Sequence, residues 1–438
     1  MDIPSLYDLY RRAKGVTTDS RQCAPGMLFF ALKGERFDGN VYARQALEQG
    51  CLAAVVDAPE LRGEPGMVWV EDGLRALQGL AWFHRRKMTC PVIGLTGSNG
   101  KTTTKELLRE VLSKRYRTHA TQGNLNNHIG VPLTLLGIPL EPAPEMVVLE
   151  MGANHQGEIR DLCAIGEPTH GVITNIGRAH LEGFGGPEGV KAGKRELFQF
   201  LAQHPGGCVW VNGRHPVLME VSDGMTRKIF GVPGQFPWGE TCEAPDGGFA
   251  GGVRVWTQPG EREVIFGVHV AGEHNLDNVM LALAVGMTFD VPVADAIAAI
   301  SAYRPTNNRS QWVNTAHNRV LLDAYNANPS SVEATLVHFA QHHPEPRAVI
   351  IGDMAEMGDY AAEEHAGMLE QMMRLGLRGH LVGPLFEAAW GRLKPDSLVA
   401  WPDTEALGRY LEAHPYEKTD VLVKGSRSMA LERLLPYL

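Results

Sequence analysis

Gly97-Ser98-Asn99-Gly100-Lys101-Thr102-Thr103 is the segment of this 438-residue chain whose residue types and spacing point to the most specific chemistry. It follows an apolar run at residues 92–95 and precedes a helical pattern, the setting of a phosphate-cradling loop. Glycines let backbone N–H groups turn inward onto phosphate oxygens, and the helix that follows aims its partial positive end at the same anion. Lys101 would add a mobile charge for the β- and γ-phosphates, and the Thr102 hydroxyl would ligate Mg²⁺. The first glycine of the standard spacing would fall at Leu95, while Gly94 sits one place earlier, so the loop is a subtype. The bland alternative is a glycine turn with a solvated lysine. The context favours a nucleoside triphosphate.

A second pattern supports a cleft. Glu150, Asn175, Asp323, Asp353 and Lys424 each stand at or just after the end of a short apolar run. In open parallel sheets ligands bind outside the carboxyl ends of the strands, where such side chains converge. The runs themselves, at residues 92–95, 146–149, 171–173, 320–322, 348–351 and 421–423, suit parallel strands covered on both faces. Amphipathic stretches such as Leu107, Leu108, Val111 and Leu112 lie between them. The class is α/β in three domains. Seams at the charged patch His84-Arg85-Arg86-Lys87 and at the polar segment 303–308 give a smaller N-terminal α/β domain (1–88), a central doubly wound, mostly parallel P-loop domain (89–302) and a C-terminal Rossmann-like domain (303–438). The Gly- and Pro-rich stretch 231–252 reads as a loop or hairpin region.

Composition narrows the function. With 41 basic and 50 acidic side chains the net charge is -9, which argues against a generic nucleic-acid binder. Six scattered cysteines without a CxxC pair exclude the common zinc modules and a disulfide framework, and fit a reducing compartment. The N-terminus lacks an apolar signal core, and no stretch approaches the roughly 20 apolar residues of a membrane helix. The expectation is a cytoplasmic enzyme acting on small molecules.

The residues also resemble a family. The segment 96–103 is similar to the ATP loop of the Mur ligases, which build the peptidoglycan peptide stem. Further similar blocks follow in the family's order: Gly123-Asn124-Leu125-Asn126-Asn127-His128, Glu150-Met151-Gly152-Ala153, Asn175-Ile176-Gly177-Arg178-Ala179-His180, Gly272-Glu273-His274-Asn275, Asp323-Ala324-Tyr325-Asn326-Ala327-Asn328-Pro329, Gly352-Asp353-Met354-Ala355-Glu356 and Lys424-Gly425-Ser426-Arg427. The resemblance implies an ATP-dependent amide ligase. Through an acyl phosphate, it would add D-alanyl-D-alanine to a UDP-N-acetylmuramoyl-tripeptide, with the first domain holding the uridine nucleotide and the third the incoming dipeptide. Another Mur-type ligase adding the third stem residue, or a folylpolyglutamate-synthase-like ligase, is the alternative; the Tyr-Asn-Ala-Asn-Pro block argues against both.

The resemblance also implies residue roles. ATP would meet Gly97 to Thr103, His274, Asn275, Asn278, Arg309 and Asp323, although Asn308 stands where the family usually has glycine. Two Mg²⁺ sites would use Thr102, Glu150, His180 and Lys194, the lysine converted by CO₂ to a carbamate. Lys101, Lys194, His180 and Asp323 would serve catalysis. Substrates would meet Ser20, Arg21, Asn126, Asn127, Asn326, Asn328, Ser330, Lys424 and Arg427. From the residues alone, Lys194 reads as a solvated helix lysine, Lys191 competes for its role, and Asn275 reads equally as a helix cap. A monomer is expected.

Overall fold

The computed structural model describes residues 1–35, 37–245, 250–270, 272–305 and 309–438, without the side chains of Glu273 and His274. In the first unit, Val16–Thr17, Leu28–Phe30, Ala53–Val56 and Met67–Trp69 form a four-stranded parallel sheet in that order. Helix Gly73–Arg85 starts at Asp72, whose carboxylate accepts from the Arg75 N–H, and buries Ala76, Leu77, Leu80 and Ala81 along one stripe.

The middle unit is built on six parallel strands, ordered Arg227–Phe230, Cys208–Asn212, His170–Ile173, Val92–Thr96, Met146–Glu150 and Thr118–Ala120. Val92–Thr96 and Met146–Glu150 are buried at every position, because helices cover both faces. The chain leaves Val92–Thr96 toward one edge and returns on its other side, so the loop after this strand lies at the sheet's switch point. The 231–252 region opens into an antiparallel sheet, in which Gly251–Trp256 pairs with Trp238–Cys242 and Val264–Val268. In the third unit five parallel strands carry one antiparallel edge strand, Gln311–Asn314. Asp420–Lys424 is inserted between Arg319–Asp323 and Arg347–Gly352.

Half of the charged patch at 84–87 is buried, and Arg86 and Lys87 are exposed. His84 and Arg85 are 3% and 6% exposed, and the Arg85 guanidinium donates to the carbonyls of Gly166, Met88 and Glu167 at 2.8, 3.0 and 2.9 Å. His84 Nε2 lies 2.9 Å from the Ile138 carbonyl oxygen. This patch fastens the first unit to the second. Of the other expected seam, residues 306–308 lie outside the described residues.

Candidate active site

The phosphate loop owes its shape to the neighbouring strand end. Gly97 has φ of 143°, and a Cβ there would lie 2.0 Å from Thr174 Oγ1, so only glycine fits. The Ser98 N–H donates to the Asn175 carbonyl (3.0 Å), and the Asn99 N–H to the Asn175 side-chain oxygen (3.0 Å). Thr174 Oγ1 and Asn175 Nδ2 donate in turn to the Asn99 carbonyl at 2.6 and 3.1 Å. Asn175 therefore shapes the loop from behind. Helix Lys101–Leu112 begins at Gly100 with no side-chain cap, leaving its first N–H groups open to an anion. Lys101 Nζ donates to the Gly97 carbonyl at 2.7 Å. Burial holds this amine below the ordinary lysine range; Glu150 opposes the shift and Arg309 adds to it.

Glu150 is 1% exposed. Its Oε1 accepts from Asn126 Nδ2 (2.8 Å) and Thr102 Oγ1 (3.3 Å), while its buried Oε2 has no hydrogen-bond partner. An unsatisfied carboxylate oxygen beside a hydroxyl and a phosphate loop is what a hard cation would complete, so Thr102 and Glu150 fit Mg²⁺. Among the described residues no cluster of three His, Cys, Asp or Glu side chains forms a ready-made metal site. His180, also on this cleft, has its Nδ1 bonded to the Glu356 carboxylate of the third unit.

Lys194 reaches the segment just after the Glu150 strand. It is 1% exposed on helix Pro187–Ala202, with Nζ 3.3 Å from the Ala153 carbonyl oxygen and 4.9 Å from the centre of the Phe184 ring. Gly193 makes room for that ring, since a Cβ there would lie 2.4 Å from Phe184 Cε1. Burial first, then the charge of Lys101, holds the Lys194 amine well below the ordinary lysine range against the pull of Glu158 and Glu196. The solvated-lysine reading fails on this burial. Lys191 is instead paired with Glu220 at 2.7 Å, away from the centre.

A cavity of about 1030 Å³ gathers the rest from all three units. Its walls include Ser98 to Thr103, Asn126, Asn127, Glu150, His180, Asn275, Asn278, Arg309, Asp323, Asn326, Asn328, Ser330 and Lys424. Asn278 donates to Asn275 Oδ1 (2.8 Å) and accepts from Thr104 Oγ1 (2.9 Å), pinning helix Glu273–Thr288 against the phosphate-loop helix. The His274 side chain lies outside the described residues. Strand register sets Asp323 opposite Lys424, and the two form an ion pair while Asp323 also accepts from the Ser310 N–H at 3.1 Å. Arg309 lies 3.7 Å over the Tyr325 ring, and Arg427 5.5 Å from the same ring.

Other expected residues also carry structural hydrogen bonds, or lie apart from the cavity. Asn328 caps helix Pro329–His342 through the Ser331 N–H (3.0 Å) and donates to Asn99 Oδ1 (2.7 Å), while Ser330 Oγ accepts from the Arg178 N–H at 2.8 Å. Both join the third unit to the phosphate loop's surroundings, and Asn326 is the exposed member of the block. Asn127 Oδ1 accepts from the Ile129 and Gly130 N–H groups at 3.1 and 2.8 Å. Ser20 and Arg21 do not line the cavity; Arg21, 87% exposed, is paired with Asp19 and holds its carboxyl down at about 2. Asp353 misses the cleft altogether. Its carboxylate accepts from the Leu385 and Phe386 N–H groups at 3.0 and 2.9 Å and closes the start of helix Pro384–Leu393.

Sequence reasoning passed over Arg178, Tyr325 and Glu356. Arg178 donates to both Glu364 oxygens (3.1 and 2.8 Å) and to Glu333 (2.9 Å), and His180 Nδ1 is bonded to Glu356. All three stand inside the family-like blocks, but the partners of Arg178 and Glu356 lie 155 to 186 positions away in sequence.

Three family models cover most of the chain: the Mur ligase family catalytic domain at residues 12–78, the Mur ligase middle domain at 95–286, and the glutamate ligase domain of Mur ligases at 308–427. A UDP-N-acetylmuramoyl-tripeptide–D-alanyl-D-alanine ligase of Bacillus subtilis is 33% identical, covering 96% of this chain and 92% of that protein. The chain belongs to the Mur ligase family. Among solved Mur ligases, MurF from Acinetobacter baumannii superposes with a TM-score of 0.88 at 30% identity, covering 99% of this chain and 97% of that one. MurF from Thermotoga maritima, solved in complex with ADP, gives 0.84 at 26% identity over 98% and 97%. No helix among the described residues of this Mur ligase is long and apolar enough to cross a membrane.

Proposed function

We propose that this Mur ligase joins D-alanyl-D-alanine to a UDP-N-acetylmuramoyl-tripeptide at the expense of ATP, forming the pentapeptide precursor of peptidoglycan. One observation carries the reading most of the way: the phosphate loop, the orphaned Glu150 oxygen and the Asp323–Ser330 block all face one cavity. Amide formation from a carboxylate in water is uphill, so the acid must first be activated. A carboxylate oxygen of the tripeptide attacks the γ-phosphorus of ATP and ADP leaves. The amine of the dipeptide then attacks the acyl carbon, loses a proton, and phosphate departs with the C–O bond electrons.

Both steps gather negative charge on oxygen, and the residues answer that need. Loop N–H groups and Lys101 hold the phosphates in line. Thr102 and Glu150 would hold Mg²⁺, which neutralises charge on the phosphate oxygens. His180 and a carbamate on Lys194 would hold a second ion. Lys194 is suited to that modification because its suppressed protonation leaves an amine lone pair to bond the carbon of CO₂, with one proton released. Asp323, Arg309, Asn275 and Asn278 border the nucleotide, and Lys424 and Asn326 the dipeptide. Asn126 and Asn127 border the muramoyl peptide. Ser20 and Arg21 would reach the uridine nucleotide outside the main cavity. The domain limits 1–88, 89–302 and 303–438 follow the same division of substrates.

Mass spectrometry of an incubation with ATP, the tripeptide nucleotide and D-alanyl-D-alanine tests the reaction. The nucleotide must gain two alanine residues, and release of phosphate must require both other substrates. Removing a metal-binding carboxylate should cost several kcal/mol of barrier, so Lys194→Ala is expected to lose on the order of 10³-fold in turnover while still binding ATP. Lys191→Ala should turn over normally.

A further inference from the structure

His180 and Glu356 come from different units and meet across the face that joins them. Both are non-glycine residues in the left-handed backbone region, with φ of 53° and 62°. Side chains seldom adopt that conformation, and where they do the surroundings must impose it. The pair itself does not repay the strain as stability, because Glu356 is 50% exposed and solvent-screened ion pairs contribute little. The backbones reinforce the alignment: the Glu182 N–H donates to the Glu356 carbonyl at 3.3 Å. Gly358, two residues on, has φ of 51° and packs so closely that a Cβ would lie 3.0 Å from Glu182 Cβ.

The ring chemistry gives this arrangement a purpose. A carboxylate bonded to Nδ1 of a neutral imidazole must receive the Nδ1 proton, which leaves Nε2 with its lone pair. Only that tautomer can bind a cation through Nε2, and carboxylate partners of this kind fix both ring orientation and basicity. His180 lines the same cavity as the phosphate loop.

We propose that Glu356 is a positioning residue that selects the metal-binding tautomer of His180, and that it does so only when the third unit is docked on the second. The cation site is thereby completed by the unit that brings the amine. Arg178, two residues before His180 and bound to Glu333 and Glu364 of the third unit, holds the face together while this happens. This rests on the ligase reading above, but its test does not need turnover.

Nitrogen-15 NMR of the imidazoles in the metal-free full-length protein, with the His180 signals assigned by their loss in His180→Gln, reads the tautomer directly. The expected result is an Nδ1–H form in the wild type, replaced by the Nε2–H form or a mixture in Glu356→Ala and restored in Glu356→Gln, whose amide oxygen still accepts. Mn²⁺ binding followed by electron paramagnetic resonance should weaken about 10- to 100-fold in Glu356→Ala and recover largely in Glu356→Gln. An Nε2–H wild-type ring overturns the proposal whether or not either variant folds. So does an unchanged ring and unchanged Mn²⁺ affinity in folded Glu356→Ala. Failure of the wild type to form pentapeptide would instead sink the ligase reading and leave the tautomer result standing.

Discussion

The two faces that join the three units are built from opposite materials. Between the first and second units Arg85 and His84 are buried, Arg85 on backbone carbonyls and His84 between the Ile138 carbonyl and the Tyr7 hydroxyl, and Tyr10 donates to the Leu136 carbonyl at 2.6 Å. Between the second and third, a hydrogen bond from the buried Asn328 to Asn99 stands beside ion pairs with exposed members, Arg178 at 39% and Glu333 at 48% among them. A buried cation that holds two carbonyls of the second unit, Gly166 and Glu167, cannot separate without stranding them, whereas exposed ion pairs exchange readily with water. The first face is a weld and the second a clasp. The difference makes the second face the easier one to open, and on the ligase proposal that is the face beside the dipeptide.

Three experiments can break or sharpen that contrast. Arg85→Ala leaves the carbonyls of Gly166, Met88 and Glu167 without their donor, and should lower stability by about 3 kcal/mol in urea titrations while leaving KM for each substrate unchanged. A comparable loss in KM would show that the first face also works during turnover. Arg178→Ala should cost less than about 1 kcal/mol of stability, since that side chain is more than a third exposed, yet raise KM for the dipeptide by loosening the docked form. The smallest effect is expected from salt. Raising ionic strength from about 0.1 to 1 M shortens the screening length from roughly 10 to 3 Å. Small-angle scattering should then record a slight expansion in the wild type and none beyond the salt-free value in Arg178→Ala.

The sequence made local chemistry legible and left distant partners hidden. The phosphate loop could be read because strand, glycines, lysine and helix follow one another without a gap. Glu150 could be placed because its strand is apolar to the last residue before it. Lys194 was readable in principle: Val190, Leu197, Phe198 and Leu201 stand at helical spacing around it, so it lies on the core stripe. Its charge drew attention away from that spacing. Asp353 misled for the converse reason, since a strand-end carboxylate serves a neighbouring helix start as well as it serves a ligand. Arg85 and Gly166 are 81 positions apart, and Arg178 and Glu364 186, distances over which no periodicity in one chain reports. The antiparallel sheet around Gly251–Trp256 was legible only as a hairpin, because its glycines hide the strand pattern.

Asn99 has a consequence of its own. Its main chain belongs to the phosphate loop, while its side-chain oxygen accepts from Asn328 in the third unit. A nucleotide that reshapes this loop would pull on that bond, and any coupling it produced would by thermodynamic reciprocity act equally on the affinity of a dipeptide bound beside the Asp323–Ser330 block. Two ligands that never touch would thus read each other's presence through a single amide.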